Sequence, residues 1–199
     1  MEKHNVPNSR KKTVSFHAQK KNESSGDVST EKIYLDPDES SSEMSQTISK
    51  VNDTDDYYSF LYLNLDVAGN ANLDGPGPDD GLSISYSDVA YRTLPDTVGS
   101  SQYVTTGDSD TNQYGAKGRF NDDTLGSRNE AWLELEMDTR SGYSGETTVY
   151  GDYIHNWNPG DIPQNLGATY TLKGAGTLAI SVTGTVNKYR AESYVYQTV

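Results

Sequence analysis

The chain has 199 residues, a formal net charge of −13, no cysteine, and 15 tyrosines against three phenylalanines and two tryptophans. That length holds one ordinary domain plus an appendage and can bury a core without disulfide staples. The acidic balance argues against a general binder of nucleic acid or of anionic membrane, which needs clustered Lys and Arg; the lack of cysteine excludes a disulfide framework and thiolate chemistry.

From the N-terminus, residues 1–21 carry Lys3, Arg10, Lys11, Lys12, Lys20 and Lys21 against Glu2 alone. Residues 22–56 reverse the sign, with many serines and few large apolar side chains. Segments of that kind bury too little surface to offset their ordering entropy. The reading is therefore a disordered tail over 1–56, basic over 1–21 and acidic and Ser-rich over 22–56, followed by one domain over 57–199. No apolar run of signal-peptide length lies between Met1 and Lys21, and no later segment has the length of a membrane span. The expected location is cytoplasmic by default, with a surface or particle-associated place as the alternative.

At Tyr57 the composition changes, and Leu61, Leu63, Leu65 and Val67 alternate with Tyr62, Asn64 and Asp66, the period of a half-buried strand. A turn-rich stretch over 69–81 separates it from Leu82, Ile84 and Tyr86, which alternate with serines, and the two runs are expected to pair as a long-looped hairpin. Over Ala131–Asp138, Leu133, Leu135 and Met137 face one way while Trp132, Glu134, Glu136 and Asp138 face the other. Further strands are expected around 147–153, 169–172, 178–186 and 189–198, the last two joined tightly at Asn187-Lys188. Seven or eight short strands with Gly/Asn/Pro punctuation and no helical period predict an all-β fold, an antiparallel two-sheet β-sandwich of the jelly-roll or immunoglobulin-like kind.

Four places carry candidate chemistry. Asn70, Asn72 and Asp74, followed by Gly75, give the oxygen spacing and sharp turn of the front half of an EF-hand calcium loop, with Asp79 and Asp80 as further oxygens. Gly81 stands where that motif places its bidentate Glu. Calcium is the one cofactor the sequence suggests. Glu134 and Glu136 share a strand face with Trp132, and Glu192 shares the face of another strand with Tyr194 and Tyr196, an arrangement a carbohydrate-active enzyme could use. His155, the sole histidine of the domain, reads as a packed strand-end imidazole, since a lone histidine makes no zinc site of the usual kind. Trp157, in a loop of asparagines and glycine, could stack on a sugar or cap the core.

Within the tail, Lys12-Thr13-Val14-Ser15-Phe16 resembles the short docking motif by which regulatory subunits engage protein phosphatase 1, a resemblance of five residues that implies strand addition to a partner. A basic arm joined to a β-sandwich is also similar in plan to many small viral capsid proteins, whose arm binds nucleic acid; the adjacent acidic segment here would neutralise that arm.

These features favour a non-catalytic protein that binds or assembles through tyrosine-rich faces and polar loops, with a protein or glycan partner or a second copy of itself. Tyr57, Tyr58, Tyr62, Tyr194 and Tyr196, with Trp132 and Trp157, are the contact candidates. The alternatives are a structural subunit of a surface layer, filament or virion-like particle, and an enzyme using the paired glutamates.

Overall fold

The computed structural model describes residues 9–16, 42–51, 54–65, 79–107, 110–121, 130–157, 168–172, 178–182 and 187–199, and gives the backbone alone at 14–16, 95–96, 157, 168–172, 178–182 and 187–190. Among them are twelve strands: β1 (Ser9–Phe16), β2 (Ser42–Lys50), β3 (Asp56–Asn64), β4 (Asp80–Tyr86), β5 (Tyr91–Ser100), β6 (Thr111–Asn112), β7 (Gly115–Phe120), β8 (Glu130–Thr139), β9 (Glu146–Trp157), β10 (Ala168–Leu172), β11 (Leu178–Val182) and β12 (Asn187–Thr198).

The strands form two five-stranded sheets, ordered β1-β2-β3-β8-β5 and β12-β9-β4-β7-β6, with β10 and β11 as a separate pair. Every pairing is antiparallel. Alternation explains how the sheets join: Leu61, Leu63, Leu133 and Leu135 from the first sheet and Leu82, Ile84, Val149 and Tyr153 from the second are fully buried in one cluster, while the residues between them turn outward. Glycine marks two close approaches, one between the sheets and one to the connection that follows β5. A Cβ on Gly151 would lie 2.6 Å from Leu61 Cδ1, and one on Gly118 would lie 2.4 Å from Val104 Cγ1.

The two lateral edges of the sandwich differ. On one side β1 lies beside β12, Arg10 Nη1 donates to the Tyr196 carbonyl at 3.0 Å, and the Lys12 ammonium stands 3.8 Å from the centre of the Tyr194 ring. On the other, β5 lies beside β7, and a register shift between Thr93 and Val98 interrupts the β5 ladder with β8.

The expected all-β, two-sheet antiparallel fold is present, and three finer expectations change. Of the segment read as tail, residues 9–16 and 42–50 are strands of the first sheet, so the sandwich starts before Tyr57. Met44 and Ile48 are the reason, since both are fully buried and alternate with polar residues that the acidic average hides. Of the remaining tail residues, 1–8, 17–41 and 52–53 lie outside the described residues. The hairpin expected between the 61–67 and 82–86 runs does not form, because β3 and β4 belong to opposite sheets, and β12 pairs with β9 while β11 pairs with β10. The Lys12–Phe16 motif lies in β1, its backbone already laddered to β2.

Candidate functional site

The outer face of the first sheet gathers the chemistry. Register aligns Tyr58 with Glu136, Phe60 with Glu134 and Tyr62 with Trp132 across β3 and β8. Every one of these six side chains points away from the buried Leu61, Leu63, Leu133 and Leu135 and is at least partly exposed. The rings of Phe60 and Trp132 lie 5.6 Å apart at 33°, within the range of favourable aromatic pairs. The flanking positions are small: Thr47 and Ser49 sit opposite Phe60 and Tyr58 on β2, and Gly99 sits opposite Glu134 on β5. A Cβ on Gly99 would lie 3.5 Å from both Glu134 Oε2 and Trp132 Cζ3, so glycine there keeps the ring and carboxylate uncovered from that side.

The polar groups are arranged along the rim of the rings. Burial, followed by hydrogen bonding to Glu130, raises the Tyr62 hydroxyl to about 12. Burial, then the charge and hydrogen bond of Glu136, raises that of Tyr58. Partial burial and the neighbouring charge of Glu136 also hold the Glu134 carboxyl above its ordinary 4.5. At the end of the strand, Asp138 is engaged by Arg92 from β5. The result is a row of aromatic surfaces with fixed hydrogen-bond acceptors beside them.

The other candidates lie elsewhere. Glu192, Tyr194 and Tyr196 are on the outer face of β12, in the second sheet, with Ala191, Ser193 and Val195 buried between them. Glu192 and Glu134 therefore face away from each other on opposite sides of the sandwich, and the carboxylate pair expected between them is not assembled. The Tyr194 ring meets Tyr196 edge-on at 5.4 Å and Tyr150 at 6.4 Å, forming a smaller cluster beneath Lys12. Tyr57, a contact candidate, is instead a core residue, 1% exposed and edge-on to Tyr91. Trp157 closes β9 opposite Asn187; its side chain is outside the described residues.

Asn70, Asn72 and Asp74 also lie outside the described residues. Asp79 is exposed. Asp80 is buried, with Oδ2 accepting from the Tyr153 hydroxyl at 2.7 Å and paired with His155 Nδ1 at 2.9 Å, and Oδ1 accepting the Asn156 amide at 2.9 Å. Its carboxylate is thus turned inward to β9, away from the role of a loop oxygen. Among the described residues no group of three or more His, Asp or Glu is placed to hold a metal. His155 takes the structural place expected for it, with Asp80 as the partner.

Sequence reasoning missed Phe60 and Gly99, whose contribution depends on which strands flank β8. No helix among the described residues is long and apolar enough to cross a membrane. Comparison with family models, curated proteins and solved structures finds no match to the chain.

Proposed function

We propose that the protein is a non-catalytic binding module whose outer β3–β8 face recognises a glycan. The observation that carries this reading is the Phe60–Trp132 platform bordered by small residues and by carboxylates held in place. Sugar rings offer apolar C–H faces that stack on aromatic surfaces, and their hydroxyls donate to carboxylates at the rim. Glu130 and Glu136 are already tied to Tyr62 and Tyr58, and Asp138 to Arg92. Prior engagement orients these acceptors at little further entropic cost, and it favours a neutral hydroxylated ligand over a strongly cationic one.

The raised Glu134 carboxyl favours a second reading, hydrolysis of the bound sugar. Against it, Glu134 and Glu136 stand side by side on one strand. Both would lie under a ligand resting on the platform, whereas a glycosidase needs two carboxyls flanking the scissile bond.

A glycan array probed with the intact chain, the Trp132→Ala variant and the Gly99→Leu variant tests the proposal. Binding by the intact chain is expected, weakened at least about tenfold by Trp132→Ala. Gly99→Leu should weaken it similarly, because the new side chain covers Trp132 and Glu134 without removing either. Binding unaffected by both variants overturns the assignment. Hydrolysis of the retained glycan that disappears in Glu134→Gln would favour the enzyme.

A further inference from the structure

A ligand on the outer face of the first sheet has two directions open to it, across the strands or along them, and the register favours the second. Across the strands, Phe60 has Thr47 and then Lys11 on one side, and Glu134 and then Gly99 on the other, so a ligand laid that way meets a single ring. The next row places Tyr62 beside Trp132, with Ser45 and Thr13 beyond, and offers two. Along β3, Tyr58, Phe60 and Tyr62 occupy alternate positions, share one face and are all at least partly exposed. At the rise of an extended strand their Cα atoms span about 13 Å, more than one sugar ring covers.

On the β2 side nothing tall walls this row, since Ser45, Thr47 and Ser49 stand opposite Tyr62, Phe60 and Tyr58 in turn. On the β8 side Trp132 adds a further ring, 5.6 Å from Phe60, and Gly99 leaves the flank beyond Glu134 open. The surface is a strip rather than a cup. A cup grips one sugar from several sides at once, whereas a strip gains its contact one ring face at a time. Each ring covered strengthens binding by only roughly fivefold, and one sugar on one ring does not offset the freedom it loses on binding. Affinity here has to accumulate over several linked units. Alternate side chains of a strand lie nearly in line, so the ligand must present its apolar faces in line as well, as an extended β-linked chain does and a coiled α-linked one does not.

Charge narrows the class further. Glu136, Glu134 and Asp56 act on the Tyr58 hydroxyl, and Glu130 and Glu43 on that of Tyr62, so carboxylates border the row at both ends. Arg92 is engaged by Asp138 and Lys50 by Asp55, and Lys11 stands two strands away from Phe60. An acidic polysaccharide would meet these carboxylates with like charge, whereas uncharged hydroxyls donate to them.

We infer, resting on the platform reading above, that the occupant is an uncharged, extended β-linked polysaccharide chain, at least three sugars of which lie along β3 over Tyr58, Phe60 and Tyr62, with Trp132 as the flanking contact.

The test is isothermal titration of the full chain with β-1,4-linked glucose, xylose and mannose oligomers of one to six units, run beside Trp132→Ala, Tyr58→Ala and Tyr62→Ala. In at least one series affinity should climb at least about tenfold between two units and four. Tyr58→Ala and Tyr62→Ala should each weaken the hexamer about fivefold yet leave the shortest bound oligomer nearly unchanged, because that one still rests on Phe60 and Trp132. Tyr58→Phe, which keeps the ring, should bind as the intact chain does. A hexamer that is α-1,4-linked, or that carries uronic acids, should bind at least about tenfold more weakly. Binding that is lost in Trp132→Ala but flat with length, or indifferent to linkage or charge, would overturn the inference and leave the platform reading intact. Lack of binding in all three series would overturn it as well, the platform reading then standing only if the array retains a glycan that Trp132→Ala releases. Length-dependent binding untouched by Trp132→Ala would overturn both.

Discussion

On the first sheet the outward residues Tyr58, Phe60, Tyr62, Trp132, Glu134 and Glu136 are all at least partly exposed. On the second, Ser83, Ser85, Asp152, Ile154 and Asn156 also point away from the shared core, yet all five are buried, none more than 4% exposed. Ser83 donates to Asp152 on that face at 3.4 Å. The backbone of β10 lies against β4 and β7 without joining their ladder, which places an added layer next to the second sheet. The same period of two therefore yields an open aromatic face over β3 and β8 and a closed, mostly polar one over β4 and the adjoining part of β9, while β12 at the edge of the second sheet keeps Tyr194 and Tyr196 exposed. Large outward rings mark the surface available to a partner, and small outward hydroxyls mark the surface committed to the fold.

Substitutions on the two faces should behave oppositely. Ile154→Ala, on the closed face, removes buried apolar volume and should cost about 2 to 4 kcal/mol in urea unfolding; a cost under about 1 kcal/mol would show that face to be open. Trp132→Ala, on the open face, should cost no more than about half as much in stability and act chiefly on glycan binding.

Glu134→Gln should raise the thermal midpoint at neutral pH. Because the folded-state value of this carboxyl lies above its unfolded one, the folded form binds the proton more readily between the two values. Its ionised form then disfavours folding above the folded value, and that penalty fades as pH falls. The gain from Gln should accordingly shrink on acidification; a gain that is independent of pH would point to packing instead. The smallest expected effect is spectroscopic. Tyr62 should ionise only near pH 12, so Tyr62→Phe should leave the tyrosinate absorbance unchanged through the range where free tyrosine titrates. A difference already present there would mean that Tyr62 is more open than its neighbours.

Much of this contrast is invisible in the sequence, for identifiable reasons. Strand β8 was legible because its leucines and glutamates alternate without interruption, and Trp132, Glu134 and Glu136 were placed on one face from that pattern alone. Strand β2 was not, since Met44 and Ile48 are its only large apolar residues amid serines and charges. Strand β7 was equally hidden: Gly115 and Gly118 replace side chains there, and Val104 fills the space above Gly118. Pairing between distant strands decides the site, as Phe60 reaches Trp132 only because β3 neighbours β8. Alternation gives each strand two faces, but it does not say which strands are adjacent or which outer face a later segment covers.

The most direct test is hydroxyl-radical footprinting of the full chain with and without a glycan retained on the array. Ligand protection should concentrate at Tyr58, Phe60, Tyr62 and Trp132, with labelling of Tyr194 and Tyr196 unchanged. Protection at Tyr194 and Tyr196 with none at Trp132 would contradict it, and would move the binding surface to the corner formed by β1 and β12.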